Sequence, residues 1–209
     1  DLGFAYEPLD DDLVLGFVDV PGHEKFVRNM LAGVGAIDFA ILIVAADDGP
    51  MPQTLEHLAI LDLLGISVGA VALTKIDRVD EMRRAEAAAE VAQLINGTSL
   101  AGAPIYPVSS ITGDGVAELK MHLAAAARSV LLRSRAGNFR LAIDRAFTIT
   151  GSGLVVTGTV YAGQAAVGDR LMLTPQGIEV RVRAIHAQNK DSKSGLAGER
   201  CALNIAGSD

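Results

Sequence analysis

Cysteine occurs once in 209 residues, at Cys201. A single thiol excludes an internal disulfide and any cysteine-built metal cluster, which fits a reducing, cytoplasmic setting. No apolar run reaches the roughly 18 residues of a membrane span, so no membrane partner is expected. The opening DLGFAY has neither the basic region nor the apolar core of a signal peptide. It also lacks an initiator Met and begins mid-pattern, as a fragment of a longer protein would. Basic residues are in the minority, 18 against 25 acidic, for a net charge of −7. That balance argues against a broad basic nucleic-acid surface, although a local patch would not show in such a total. What the chain does have is apolar mass. At 50% hydrophobic and 21% charged, it can bury the core of one large domain or two smaller ones.

The chain is organised around DVPGHEKF, Asp19 to Phe26. It follows the apolar run Leu13 to Val18, which reads as a strand, and precedes a run with helical spacing at Phe26, Val27, Met30, Leu31 and Val34. Residues 1–12 read as loop, ending in the acidic run Asp10-Asp11-Asp12. Strands are expected at 13–19, 39–45, 68–74 and 105–109, each a near-continuous apolar run of the kind buried on both faces of a parallel sheet. Helices are expected at 24–33, 52–64, 80–95 and 114–132. This alternation argues for a doubly wound α/β domain over 1–133. LLRSRAGN, 131–138, reads as the linker. From 138 to 209 helical periodicity is absent, β-branched residues and glycines dominate, and turns recur every 8–12 residues. That segment reads as a small antiparallel barrel or sandwich.

Three motifs fall at the C-terminal ends of predicted strands, where open α/β sheets bind ligands. The first is Asp19-Val20-Pro21-Gly22-His23. A carboxylate there can hold Mg²⁺ through a water, because Mg²⁺ takes oxygen ligands and keeps several of its waters. Gly22 lets the backbone approach, so that its N–H can bond a terminal phosphate, with His23 beside it. The second is Thr74-Lys75-Ile76-Asp77. One carboxylate can accept from both the ring N–H and the exocyclic amine of guanine, a pair adenine does not offer, while the stem of Lys75 lies over the base. The third is Ser109-Ser110-Ile111, where a backbone N–H can donate to the guanine carbonyl and Ser109 can brace the loop. Each motif alone is also what an ordinary charged turn looks like. Their order, each after a buried strand, points to a guanine nucleotide, GTP or GDP.

These motifs resemble those of translational GTPases, and the DxPGH form resembles the elongation factor Tu group. The resemblance implies an α/β P-loop-type GTPase domain with a mostly parallel sheet, truncated at its N-terminus. A small β-barrel follows over 138–209, expected to lack its last strand. It further implies that His23 orients the attacking water and that Asp19 serves Mg²⁺. Thr74 departs from the asparagine usual at that position and brings a hydroxyl without the amide. A larger departure is that no G-x-x-x-x-G-K-[ST] loop occurs in the 209 residues. Without that phosphate cradle the chain as given is expected to bind GTP weakly or not at all.

Five strings in order resemble bacterial selenocysteine-specific elongation factors more closely than factor Tu: residues 1–6, 22–38, 47–61, 141–147 and 185–189. That resemblance implies a GTPase that carries selenocysteinyl-tRNA to the ribosome. It also implies a C-terminal extension, not present here, that binds a hairpin in the messenger RNA. The remaining alternatives are a general aminoacyl-tRNA factor of the Tu type and a non-hydrolysing binding module. The chemistry of the cargo is consistent with the leading reading. A selenol is largely ionised at neutral pH, so fixed positive charge would favour it over serine or cysteine, and arginine supplies charge that is weakly hydrated. The resemblance places such a pocket at Arg145, Arg200 and Asp1, although a lone barrel arginine is more commonly a solvated charge. His57 and His122 are expected to be surface or packing residues, and Cys201 a core residue.

Overall fold

The computed structural model describes residues 3–9, 13–20, 37–129, 136–151 and 153–207. Contacts divide them into two compact units: residues 3–9, 13–20 and 136–207 form one, and residues 37–129 the other.

The second unit is the α/β part. Its strands β3 (Ala40–Ala45), β4 (Gly69–Thr74) and β5 (Ile105–Pro107) form a parallel sheet in the order β3-β4-β5. Helices α1 (Pro52–Leu63), α2 (Glu81–Ile95) and α3 (Val116–Ser129) alternate with them. Local chemistry sets the helix starts. Pro52 occupies the first turn of α1, where a missing N–H costs nothing, and the Thr54 hydroxyl accepts from Met51 N–H at 3.1 Å. Asp80 caps α2 by accepting from Arg83 N–H at 2.8 Å. One stripe of α2, Ala87, Val91 and Ile95, is buried against Leu42, Val44, Leu58, Val71 and Leu73. Each large apolar side chain so enclosed contributes about 1.5–3 kcal/mol. The expected strands at 39–45 and 68–74 and the expected helices at 52–64 and 80–95 are therefore present within a residue or two.

The first unit is antiparallel. In it β6 (Arg140–Ile149), β7 (Gly153–Ala162), β9 (Arg170–Leu173), β10 (Ile178–Ala187), β11 (Lys190–Ser192) and β13 (Arg200–Gly207) form one sheet. The path runs β11-β10-β13-β7-β6, and β9 also pairs with β10. The short β8 (Gln164–Ala166) and β12 (Ser194–Leu196) pair with each other. Alternate residues Val156, Val160, Val180, Val182, Leu203 and Ile205 turn inward to form the core, with Cys201 among them as expected.

Two sequence expectations fail here. Residues 1–12 were expected to be loop, but β1 (Gly3–Pro8) pairs in full with β2 (Val14–Asp19), from Gly3↔Asp19 to Pro8↔Val14. In consequence β2 is half of an antiparallel hairpin and not a strand of the parallel sheet. The reason is local pairing: the six residues of β1 and the six of β2 lie opposite one another and bond along their facing edges. The expected helix at 24–33 and most of the linker at 131–138 lie outside the described residues, as do Asp1, Pro21, Gly22 and His23. Among the described residues no helix is long and apolar enough to cross a membrane.

Candidate functional site

In the α/β unit, the ends of β3, β4 and β5 carry one connected polar cluster. β4 ends at Thr74, whose hydroxyl donates to the Val44 carbonyl of β3 at 3.3 Å. The threonine thus ties its strand end to the neighbouring strand, a bond that needs only a hydroxyl. Lys75 follows in the left-handed region, at φ 59°. That conformation is uncommon for a residue with a side chain and costs free energy that tertiary contacts must offset.

Those contacts come from β3. Lys75 Nζ lies 3.1 Å and 3.2 Å from the two oxygens of Asp47, and 3.5 Å from Asp48. Arg78 lies 3.8 Å from Asp47. The bond from Lys75 holds the Asp47 carboxyl below its ordinary value, and the bond to Asp47 holds the Lys75 ammonium above its own. Asp47 was not legible as a site residue by motif. The available signal was an acidic pair, Asp47-Asp48, directly after a buried strand and before Gly49.

Asp77, two residues on, is oriented by Ser109. The Ser109 hydroxyl donates to Asp77 Oδ1 at 2.6 Å and accepts from the N–H groups of Ile111 at 3.2 Å and Thr112 at 3.1 Å. Ser109 is fully buried, and its own backbone closes the loop through Asp114 and Gly113. The loop leaves through Gly115, where any side chain would strike the Pro107 carbonyl, so only glycine fits. Ser110 and Ile111 stand exposed beside it. A carboxylate accepts at about four lone-pair sites, so one bond from Ser109 leaves Asp77 capacity for a pair of donors. Thr74, Lys75, Ile76, Asp77 and Ser109 to Ile111 are thus brought together. Asp19 and Val20 are described in the other unit, at the end of β2.

His122 is a packing residue, its ring 5.2 Å from that of Tyr106 and 5.8 Å from that of Phe39. Among the described residues no group of three or more His, Cys, Asp or Glu could hold a metal ion.

The antiparallel unit holds a second cluster around Arg200, at the start of β13. Its guanidinium makes a two-pronged pair with the Asp144 carboxylate; one prong, to Oδ1, is 3.0 Å. Thr157 donates to Asp144 Oδ1 at 2.8 Å and lies 3.4 Å from Arg200. The ring of Phe4 lies 3.7 Å below the guanidinium carbon, a stacking that suits arginine's flat, weakly hydrated cation. Tyr6 is nearby, and burial raises its phenol above the usual value.

Asp144 is 5% exposed and Arg200 16%. In the strand register Asp144 is skipped: Ile143 pairs with Gly158 and Arg145 with Thr157, so Asp144 is the extra residue of a bulge. Gly158 opposite is required, since a Cβ there would meet the Ala142 carbonyl. Arg145 is exposed on the same bulge. The sequence pointed to the two arginines but not to Asp144, Thr157 or Phe4. Arg200 is a paired cation here, so any anion it takes would compete with Asp144 or share the guanidinium with it.

Comparison with known proteins adds the following. The family model described as elongation factor Tu GTP binding domain matches residues 5–129. The selenocysteine-specific elongation factor of Escherichia coli K12 is 52% identical over 209 residues, covering 99% of this chain and 33% of its own length. A crystal structure of a bacterial selenocysteine-specific elongation factor superposes with TM-score 0.91 at 35% identity, over 100% of this chain and 36% of that one. The elongation factor of Methanococcus maripaludis of the same class, in complex with the GTP analogue GppNHp, gives TM-score 0.91 at 33% identity, over 100% and 46%. The chain spans about a third of the length of the bacterial curated relatives it matches.

Proposed function

The chain belongs to the elongation factor Tu GTP-binding domain family, and from that premise we propose that the whole protein is a GTP-dependent elongation factor that delivers selenocysteinyl-tRNA to the ribosome at recoded UGA codons. The observation that carries the nucleotide reading is the Ser109–Asp77 bond at 2.6 Å, because it fixes a carboxylate at a strand end where a guanine edge can be read. The cargo reading rests on the 52% identity to a selenocysteine-specific factor across 99% of the chain and on the barrel arginines.

Asp77 accepts the two N–H donors of guanine. Lys75, clamped by Asp47, lays its methylene stem over the base plane. The backbone N–H of Ser110 donates to the base carbonyl, since that of Ile111 is taken by the Ser109 hydroxyl. Pro21 and Gly22 bring an N–H to the terminal phosphate, and His23 orients the attacking water. Asp19 would help to hold a Mg²⁺ ion, which would supply positive charge against the phosphates. Arg145 and Arg200 supply the positive field for a selenolate, and Asp1 belongs to the same pocket. Hydrolysis is triggered on the ribosome, and loss of the terminal phosphate releases the ordered segments. Contact with a messenger hairpin belongs to a C-terminal extension.

The test uses the full-length protein with GTP. Protection of the aminoacyl bond against hydrolysis is compared for selenocysteinyl-tRNA and for seryl-tRNA on the same tRNA body. Protection of the selenocysteinyl form alone, and only with GTP, is expected. Equal protection of both would remove the cargo assignment, and protection insensitive to nucleotide would remove the GTPase assignment.

A further inference from the structure

The antiparallel unit carries an arginine array that neither cluster above uses. On β10, Arg181 and Arg183 are both exposed between the buried Val180, Val182 and Ile185. Arg181 is paired directly with Arg170 of β9. Like charges set opposite each other in a ladder are destabilising, and Arg170 and Arg181 stand there as Cα partners, about 5 Å apart. Arg183 is the extra residue of a second bulge: Val182 pairs with Ile205 and Ala184 with Asn204, leaving Arg183 without a counterpart on β13. Bulges of this kind re-aim a side chain, and this one adds a third guanidinium to the row.

The three arginines border a groove of about 470 Å³. Its floor is small. Arg181 faces Ala206 of β13, Val180 faces Gly207, and Gly168 closes the side. Two carboxylates lie near. Glu179 pairs with Arg170 at 3.2 Å, and Asp169 accepts from the Ala166 N–H at 2.8 Å in the adjoining turn. The local balance remains positive in a chain whose net charge is −7.

From this we propose that the groove of Arg170, Arg181 and Arg183 is a binding site for the phosphodiester backbone of an RNA strand, separate from the Arg200 cluster. Guanidinium forks match phosphate oxygens in a bidentate way. Three of them in a row, with neighbours about 5 to 7 Å apart along and across the strands, suit a repeating monoanion better than one phosphate group. The lining residues include no aromatic ring on which a base could stack, so the site reads backbone and not sequence. It lies at the far end of β13 from Arg200, six residues or about 20 Å along the strand. One RNA body can therefore touch both ends. The choice of RNA over an acidic peptide rests on the elongation-factor reading, whereas the anion site does not.

The experiment needs neither GTP nor cargo, so its outcome is independent of that reading. Binding of a fluorescent single-stranded uridine oligonucleotide to the 209-residue chain is followed by anisotropy from about 50 to 200 mM salt. Three contacts at about 0.7 each predict a log–log slope near −2. Arg181→Gln with Arg183→Gln should lower the slope to below about 1 in magnitude and weaken binding at low salt at least tenfold. Arg84→Gln, which removes one positive charge away from the groove on α2, should change neither. Glu179→Gln, which only removes a neighbouring carboxylate, should tighten binding, and this holds as a readout even where the double variant folds poorly. An unchanged slope and affinity in the double variant would overturn the site. Displacement of the oligonucleotide by polyglutamate at matched charge would overturn the choice of RNA, and displacement by millimolar inorganic phosphate alone would reduce the site to a single-anion pocket.

Discussion

Lys75 and Asp47 sit 28 residues apart in sequence and meet through both carboxylate oxygens, at 3.1 Å and 3.2 Å. The pair holds a lysine whose backbone is left-handed. In the full-length protein Asp47→Asn should therefore loosen the lysine stem under the base and speed GDP release a few-fold, the scale of a half-exposed ion pair. Stopped-flow release of a fluorescent GDP measures it. If Asp47→Asn and Lys75→Met act through one contact, the double variant should release no faster than the worse single one.

The same pair has a pH window. Asp47 is depressed from 3.8, so its contribution is present above that value and is lost as pH falls through the lower folded value. Lys75 is raised from 10.5, so its contribution is present below that value and is lost as pH rises through the higher folded one. Thermal midpoints should thus show no change attributable to this pair between about pH 5 and 10, and a loss in acid that Asp47→Asn abolishes.

Asp77→Asn exchanges one acceptor oxygen for a donor amide. Guanine would then face a donor against its exocyclic amine, while xanthine, with an oxygen there, would fit. The variant should lose GTP by about 10- to 100-fold, as for a charged hydrogen bond, and gain XTP. Competition of the two nucleotides for the full-length protein reads this directly.

Ser109→Ala removes a fully buried hydroxyl that serves two N–H groups and one carboxylate. Leaving buried donors unmade costs about 1–3 kcal/mol. Chemical denaturation of the 209-residue chain should show that loss, and an unchanged midpoint would mean the loop re-forms its bonds elsewhere.

The two barrel arginines call for different substitutions. Arg200→Ala would strand the buried Asp144 carboxylate, a loss of about 3–5 kcal/mol, so a loss of cargo selectivity in that variant would be ambiguous. Arg145→Ala at an exposed position avoids the problem. It should raise the affinity ratio of seryl- to selenocysteinyl-tRNA in the full-length protein.

Much of the site was legible because its residues sit at strand ends, and buried strands announce themselves as apolar runs. Thr74, Asp77 and Ser109 were found by that logic. Asp47 and Asp144 were not, since each matters through a partner 28 or 56 residues away, and pairing at that range leaves no local mark. β1 was missed for another reason. Its Phe-Ala-Tyr alternation is short, and the acidic run after it reads equally as loop or as the turn of a hairpin. Thr74 illustrates a substitution that sequence flagged and structure explained, through its bond to Val44.

The bulge at Arg183 also changes how β10 must be counted. Its inward residues fall at 180, 182, 185 and 187, so the rhythm of two slips once, by a single beat, at the basic groove. Deleting Arg183 would restore the beat with Val180, Val182, Ile185 and Ala187 still inward, and with Val182 and Ala184 still opposite Ile205 and Asn204. The core side of the strand therefore has no use for the extra residue, and its loss by deletion or by replacement would be felt at the groove. The added residue is spent on the outer face alone.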